Sequence, residues 1–554
     1  MNTTDYVNIA SALDTTAEKQ PDKLAILYPE TRNSKGEVEY SSYTFRQLLE
    51  QSNIIADGLE KFGIKKGCRT VLMVKPSLEF FALTFALFKA GIVPVMIDPG
   101  MGTKNLKTCI SEAEPEAFIG IPKAHIARLI LGWGKNTIKK NVTVGNKLFW
   151  GGTTLKEIKK LGSSNYKNAE TKKEDMAAIL FTSGSTGVPK GVVYNHGNFA
   201  DQVEKLKALY TIEDGEIDLP TFPMFALFDP ALGMTTVIPE MDFTAPAKAD
   251  PQKLIYAIER FGVTNMFGSP ALINTLSRYG EKNNIKLKTI KRTISAGAPV
   301  SATILERFTK MLPDEARIFT PYGATECLPI SSINNKEILN DTRQLTDLGK
   351  GVCIGKPVST IQVDIIKITD EQIEFWNDGL KLKQGEIGEI VVKGDNVTLS
   401  YYNRENSNKL AKIYDSQDKK SLRHRMGDLG YFDERGRLWF CGRKAHRVIT
   451  EKETLYTIQC ESIFNTHKEV FRTALVSAKI NGKVEPVICV ELEHDSVNYD
   501  RQFIQTDLLE LAQKFEHTKN IKYILFHESF PVDIRHNAKI FREKLAVWAE
   551  NQLK

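Results

Sequence analysis

The chain has 554 residues, too many for one hydrophobic core, so at least two domains are expected. Hydrophobic residues make up 42% and charged residues 26%, the mix of a soluble globular enzyme. The formal net charge of +6 is spread without a long Lys/Arg block or a basic–aromatic array, which speaks against nucleic acid and leaves anionic substrates open.

The seven cysteines, at 68, 109, 327, 353, 441, 460 and 489, are odd in number and contain no Cys-x-x-Cys pair, which points to a reducing compartment and away from a zinc site. The start, Met1-Asn-Thr-Thr-Asp5, has neither the basic residues nor the apolar core of a signal peptide. The most apolar region, 71–97, is broken by Lys75, Pro76, Glu79, Lys89 and Pro94, so it is expected to be buried rather than to span a membrane. A cytoplasmic location with no transmembrane segment follows.

In chain order, residues 7–63 predict an amphipathic helix, a strand pair around 25–28 across the polar tip 33–36, and a helix over 44–62 capped by Thr44. A strand at 69–74, a helix at 77–90 and a strand at 93–97 then make a parallel crossover, the mark of an open α/β sheet. Residues 107–130 repeat this pattern weakly, and the lysine- and asparagine-rich stretch 133–175 is expected to be a solvated excursion.

The apolar run 177–181 then opens into Thr182-Ser-Gly-Ser-Thr-Gly-Val-Pro-Lys-Gly191. Glycines let backbone N–H groups close around phosphate oxygens, Thr182, Ser183, Ser185 and Thr186 add hydroxyls, and Lys190 adds a cation. Pro189 stands before Lys190, so this is a phosphate loop but not a Walker A motif.

Beyond it, a helix is expected over 198–210. The aromatic run Pro220-Thr-Phe-Pro-Met-Phe-Ala-Leu-Phe-Asp-Pro230 is expected to be irregular and serves equally as the wall of an apolar pocket or as plain core. A helix over 251–261 leads to Asn265-Met-Phe-Gly-Ser-Pro270. Strands at 292–295 and 318–320 run into Ala296-Gly-Ala-Pro299 and Pro321-Tyr-Gly-Ala-Thr-Glu326, strand ends of the kind that host ligands in α/β sheets. Beyond Gly349 short alternating strands, as at 363–366 and 389–392, suggest a β-rich part to about residue 442. Residues 1–442 and 443–554 are the two expected domains, the second a mobile α+β lid.

Five separated stretches then fit one family. The 182–191 loop, Tyr322-Gly-Ala-Thr-Glu326, Met426-Gly-Asp-Leu-Gly430, Gly442-Arg443 and Asn537-Ala-Lys-Ile-Phe-Arg542 stand in the order found in the AMP-forming adenylating enzymes. That superfamily includes acyl-CoA synthetases, peptide-synthetase adenylation domains and firefly luciferase, and the resemblance spans nearly the whole chain. The finer texture, Phe222-Pro-Met-Phe-Ala-Leu-Phe-Asp-Pro230, Gly442-Arg-Lys-Ala-His-Arg447 and Thr454-Leu-Tyr-Thr457, resembles the β-lactone synthetase branch of bacterial olefin biosynthesis.

The resemblance implies ATP and Mg²⁺ as cofactors and a two-step reaction, in which a carboxylate attacks the α-phosphorus of ATP and a nucleophile then displaces AMP. It implies that Thr182, Ser183, Gly184, Ser185, Thr186, Gly187 and Lys190 hold the β- and γ-phosphates, Thr325 the α-phosphate, and Glu326 with Thr186 the metal. Ala298, Pro299, Tyr322 and Gly323 would border adenine, Asp428 and Arg443 the ribose, and Lys539 would act on carboxylate and α-phosphate. Phe225, Ala226, Phe228, Phe267 and Gly268 would line the pocket of a fatty-acid-derived substrate. Contact with other enzymes of hydrocarbon synthesis is compatible.

Three departures from the acyl-CoA synthetase pattern bear on the second step. Ala226 stands where a histidine is usual, Ala445 where the hinge usually has Asp or Lys, and Lys452 and Tyr456 where glycines usually let the CoA arm pass. Filling that passage disfavours a thioester and favours a nucleophile already in the pocket, the substrate's own 3-hydroxyl. A fatty acyl-CoA or acyl-AMP ligase and a non-catalytic scaffold are the alternatives. A hydrolase has no support, since neither a Gly-x-Ser-x-Gly elbow nor a His-Glu-x-x-His helix is present.

Overall fold

The computed structural model describes residues 7–182, 189–493, 500–532 and 539–554. The crossover expected around residues 69–97 forms the middle of an eight-stranded sheet. Ala117–Gly120, Arg69–Met73, Val93–Met96 and Met176–Phe181 lie side by side in parallel, and Lys140–Thr143 adds to them. Gly191–Asn195 returns antiparallel onto Met176–Phe181. Ser77 accepts a hydrogen bond from the Phe80 amide to start the helix Leu78–Lys89, which is buried from Phe80 onward. Such burial all round explains why this helix shows an apolar block rather than a stripe.

A capping box between Thr44 and Gln47 starts the helix Phe45–Phe62, and Gly63 closes it at φ +96°. This helix packs on Leu78–Lys89 and shares its core with the N-terminal helix Ser11–Lys19.

A second, nine-stranded sheet carries the other ligand-facing strand ends. Ile217–Pro220, Asn265–Phe267, Arg292–Ile294 and Arg317–Ala324 are parallel neighbours. Between Gly349 and Arg443 the expected β-rich part is a six-stranded antiparallel sheet that includes Gly388–Lys393, Leu422–Phe432 and Leu438–Arg443. After Arg443 a single turn, Lys444–His446, leads to a three-stranded sheet of Val470–Ile480, Lys483–Leu492 and Tyr523–Phe526. Helices Thr457–Phe464 and Arg542–Gln552 cover it, and it has apolar cores of its own. The result is the α/β architecture anticipated, large sheets followed by a β-rich part and a small α+β unit.

Three expectations need correction. The stretch 133–175 is not a bare excursion, because Lys140–Thr143, Thr153–Thr154 and helix Leu155–Leu161 lie within it. Its widely spaced Trp133, Val142, Trp150, Leu155 and Ile158 are buried, a pattern too sparse to show as periodicity. The aromatic run forms two short helices, Pro223–Ala226 and Asp229–Leu232. Pro223 and Pro230 sit in their first turns, where a missing N–H is no loss, and Pro220 ends the preceding strand. The strand before Glu326 continues through Pro321, Tyr322 and Gly323 and hairpins into Cys327–Asn334.

Candidate active site

Strand ends from both large sheets, the β-rich part and the C-terminal unit converge on one cleft of about 1910 Å³. Thr182, Lys190, Ala298, Pro299, Tyr322, Gly323, Thr325, Glu326, Asp428, Arg443 and Lys539 all line it. Ser183, Gly184, Ser185, Thr186 and Gly187 lie outside the described residues. The two ends of their loop are fixed to each other, since the Thr182 amide donates to the Lys190 carbonyl at 3.0 Å. Lys190 Nζ stands 4.8 Å from the centre of the Tyr401 ring. Burial pulls this ammonium's pKa down, and Glu326 opposes the shift.

Glu326 sits at the tip of the hairpin between Arg317–Ala324 and Cys327–Asn334. The Thr398 amide and hydroxyl hold its carbonyl at 2.9 and 3.0 Å, and the Tyr401 hydroxyl donates to its Oε1 at 2.6 Å. Beside it, the Tyr194 hydroxyl donates to the Thr325 carbonyl at 2.5 Å. Motif reading missed Tyr401, Tyr194 and the buried Lys412, which donates to the Thr398 carbonyl and stands 5.8 Å from the Tyr401 ring. Burial lowers the Lys412 ammonium to about 8. No sequence signal marks these three, because long-range packing alone brings them under Glu326.

At the other side of the cleft, Asp428 and Arg443 face each other across neighbouring strands. Tyr322 Oη donates to Asp428 Oδ2 at 2.7 Å, and Arg443 Nε lies 3.1 Å from Oδ1. The Nε–Oδ1 approach is an ion pair without hydrogen-bond alignment, so Oδ1 is a buried acceptor with no hydrogen-bond donor on it among the described residues. Burial raises the Asp428 carboxyl above the usual carboxylate range, with Arg443 and Tyr322 pulling against it. A sugar hydroxyl donated to Oδ1 would satisfy that atom. Lys539 is close enough to lower the Asp428 carboxyl as well, which brings the C-terminal tail to the Asp428 side of the cleft.

Phe225 stacks on Phe267 with ring centres 4.3 Å apart, and both line the cleft together with Phe228, Leu232, Met234 and Ile294. Ala226 and Gly268 do not line it. Ala226 is fully buried in the main core, and a Cβ on Gly268 would meet Met266, Ile273 and Leu272. These two residues back the wall without forming its surface.

Asp218 and Asp229 are both buried at the cleft margin and hydrogen-bond each other, with Thr236 Oγ1 donating to Asp229 Oδ2 at 2.9 Å. Burial and then the Asp218 charge hold the Asp229 carboxyl well above its ordinary range, and burial raises Asp218 too, so the pair holds on to a proton. Lys452 lies in the exposed turn between Val448–Ile449 and Thr454–Leu455, and Tyr456 precedes helix Thr457–Phe464. Neither lines the cleft, so the blocked thiol passage expected from them finds no support in this arrangement.

The AMP-binding enzyme family matches residues 13–402. An olefin β-lactone synthetase of Xanthomonas campestris is 48% identical over 99% of this chain and 98% of its own. The chain belongs to the AMP-binding enzyme family. A second olefin β-lactone synthetase, from Stenotrophomonas maltophilia, is 50% identical over the same shares of the two chains. An anthranilate–CoA ligase solved with anthranoyl-AMP superposes with a TM-score of 0.80 at 16% identity, covering 100% of this chain and 99% of its own, which shows the fold. As a family member the chain is an AMP-forming synthetase that uses ATP.

Proposed function

We propose that the protein adenylates a long-chain 2-alkyl-3-hydroxy fatty acid and closes it to a β-lactone. The carboxylate attacks the α-phosphorus of ATP, releasing pyrophosphate and leaving an acyl-AMP. The substrate's 3-hydroxyl oxygen then attacks the acyl carbon, the bond to AMP breaks, and the hydroxyl proton is lost. The observation that carries this reading is the nearly full-length identity to two olefin β-lactone synthetases.

Each residue then has a role. The 182–191 run and Lys190 receive the β- and γ-phosphates, with Thr182 closing the loop. Thr325 meets the α-phosphate, and Asp428 Oδ1 takes a ribose hydroxyl while Arg443 steadies the same carboxylate. Ala298, Pro299, Tyr322 and Gly323 border the base. Lys539 brings a compact cation to the carboxylate and α-phosphate as adenylation proceeds. Phe225, Phe228 and Phe267 hold the alkyl chain.

Magnesium fits the donor set. Glu326 has a second carboxylate oxygen beyond the one Tyr401 occupies, and Mg²⁺ is commonly held by one or two carboxylates plus substrate phosphates. Bound there with Thr186, the ion would neutralise phosphate charge.

An internal nucleophile needs no second binding site, and holding it against the acyl carbon supplies up to roughly 7–11 kcal/mol through prepaid orientation. The deciding experiment incubates the protein with ATP, Mg²⁺ and a 2-alkyl-3-hydroxy acid, with and without CoA, followed by mass spectrometry. A product lighter than the acid by one water, formed without CoA, is expected. A product formed solely with CoA and carrying a thioester's mass would replace this reading with acyl-CoA ligation.

A further inference from the structure

Five of the fourteen large apolar side chains exposed among the described residues fall between positions 126 and 149. They are Ile126, Leu129, Ile130, Leu148 and Phe149, and Ile130 and Phe149 are 77% and 80% exposed. The first three share the outer side of helix Pro122–Leu131, whose inner residues Ala124, His125 and Arg128 are buried. The other two stand on the loop before Trp150, whose ring stacks on His125 at 5.2 Å between centres. Trp150 also donates to Thr143 Oγ1 at 2.9 Å, so helix and loop are fastened into one surface.

The charge of this surface has one sign. Residues 122–149 contain six Lys and Arg and no Asp or Glu, as many positive charges as the net charge of the whole chain. Arg128 is buried and Lys140 Nζ donates to the Phe62 carbonyl, but Lys123, Lys135, Lys139 and Lys147 are exposed. None of these four is ion-paired to a carboxylate among the described residues. Glu157 is held by the Thr154 amide and the hydroxyls of Thr153 and Thr154 at its own helix start, and Lys147, which donates to the Gly152 carbonyl at 2.9 Å, adds a weaker charge interaction.

The surface also has a defined position. Ala117–Gly120 and Lys140–Thr143 run parallel to Met176–Phe181, so helix Pro122–Leu131 and the 144–152 loop leave the sheet from the same carboxyl edge as the 182–191 loop. Ala117–Gly120 is three strands from Met176–Phe181 in the sheet, roughly 14 Å at about 4.8 Å per strand.

We infer that residues 122–149 dock the protein on the surface of an anionic lipid membrane. Protruding aliphatic and aromatic side chains, with lysines at both ends of helix Pro122–Leu131 and beside Leu148, match the acyl–headgroup boundary of such a membrane. A second copy fits poorly, because a two-fold contact would set this cationic surface against itself. No helix among the described residues is long and apolar enough to cross a membrane, so the contact is peripheral. The inference does not rest on the β-lactone reading, since neither ATP nor substrate takes part in it.

The test is co-sedimentation of the full chain with vesicles of phosphatidylcholine alone or with about one-third phosphatidylglycerol. Binding to the anionic vesicles at low salt is expected, weakened by about fivefold for each lysine charge removed from contact. Lys135→Gln with Lys139→Gln and, separately, Ile130→Ser with Phe149→Ser should each release the protein while leaving pyrophosphate release in vesicle-free buffer unchanged. Equal sedimentation on both vesicle types, or variants that pellet like the parent, would overturn the inference. Light scattering that shows a dimer dissolved by Ile130→Ser, or an acidic protein partner lost by both pairs without any vesicle binding, would overturn it as well.

Discussion

Asp428 shows how a single side chain can be left in need of a ligand. Its two oxygens are buried between Tyr322 and Arg443, yet Oδ1 has no hydrogen-bond donor among the described residues. A buried acceptor left so is disfavoured by about 1–3 kcal/mol, which the proposed ribose hydroxyl would recover. Lys539 complements this by arriving from another unit of the chain, so it can act on chemistry without being needed to hold nucleotide. Lys539→Ala should therefore lower acid-dependent pyrophosphate release by about 10²–10³-fold, as removal of a transition-state charge does. Fluorescent-nucleotide titration should meanwhile show ATP affinity nearly unchanged. Loss of ATP binding in parallel would make Lys539 a nucleotide anchor instead.

The carboxyl pair at the cleft margin makes a prediction in pH. Both Asp218 and Asp229 are raised above the unfolded value near 4, first by burial. The stability tied to their protonated forms is full below that value and is lost as pH climbs through the raised ones. Asp229→Asn removes one of the two titrations. The Tm of the variant minus that of the parent should thus grow more positive from pH 5 to pH 9, whatever its offset from the altered bond to Thr236. A difference that stays flat with pH would mean that the pair does not titrate in this way.

Among the elements, the C-terminal helix Arg542–Gln552 is tied at its first residue. Arg542 donates to both oxygens of the buried Glu461 at 2.7 Å, and the Leu475 amide completes that carboxylate at 2.8 Å. Lys539 lies three residues earlier, beside the bridge between Val532 and Ile540. Arg542→Met should destabilise this unit by roughly 3–5 kcal/mol, because it leaves a buried carboxylate without its cation. Burial already raises the Glu461 carboxyl, and losing Arg542 removes what opposes that shift, so the variant should lose stability as pH climbs through the raised carboxyl toward pH 8. Differential scanning calorimetry would show an early transition, and adenylation should fall with it.

These elements also show what the sequence could and could not reveal. Helix Phe45–Phe62 was legible because Thr44, its apolar spacing and Gly63 all speak locally. Ser77 and the block after it were legible for the same reason. The strand Lys140–Thr143 was hidden because its neighbours in the sheet, not its own residues, make it a strand. In the site, glycines and charges in fixed order marked the proposed nucleotide side. Tyr401, Lys412 and Asp218 lie at or behind the cleft from positions far apart in sequence, where no local pattern announces them.

On the scale of the whole molecule, the proposed role of Lys539 makes adenylation depend on how the C-terminal unit docks on the body. One point of docking is unusually close. Gly349, at φ +76°, lies against the C-terminal unit so tightly that a Cβ there would stand 2.3 Å from His517 Nε2 and 2.9 Å from the Gln459 carbonyl oxygen. The ion pair Arg278–Glu493 at 3.0 Å ties the two units together elsewhere, but it is half-exposed and contributes little. Gly349→Ala adds a left-handed residue, disfavoured by about 1–2 kcal/mol, and a clash with a backbone oxygen that cannot rotate away. A penalty of that size felt in the docked state moves a docking equilibrium by about 5–30-fold. Pyrophosphate release should drop accordingly, while ATP binding, which the proposed roles assign to residues of the body, should hold. His517→Ala in the same chain should restore part of the rate by removing the ring and leaving the backbone strain. An unchanged rate in Gly349→Ala would show that adenylation proceeds from a different placement of Lys539 than the one at this cleft.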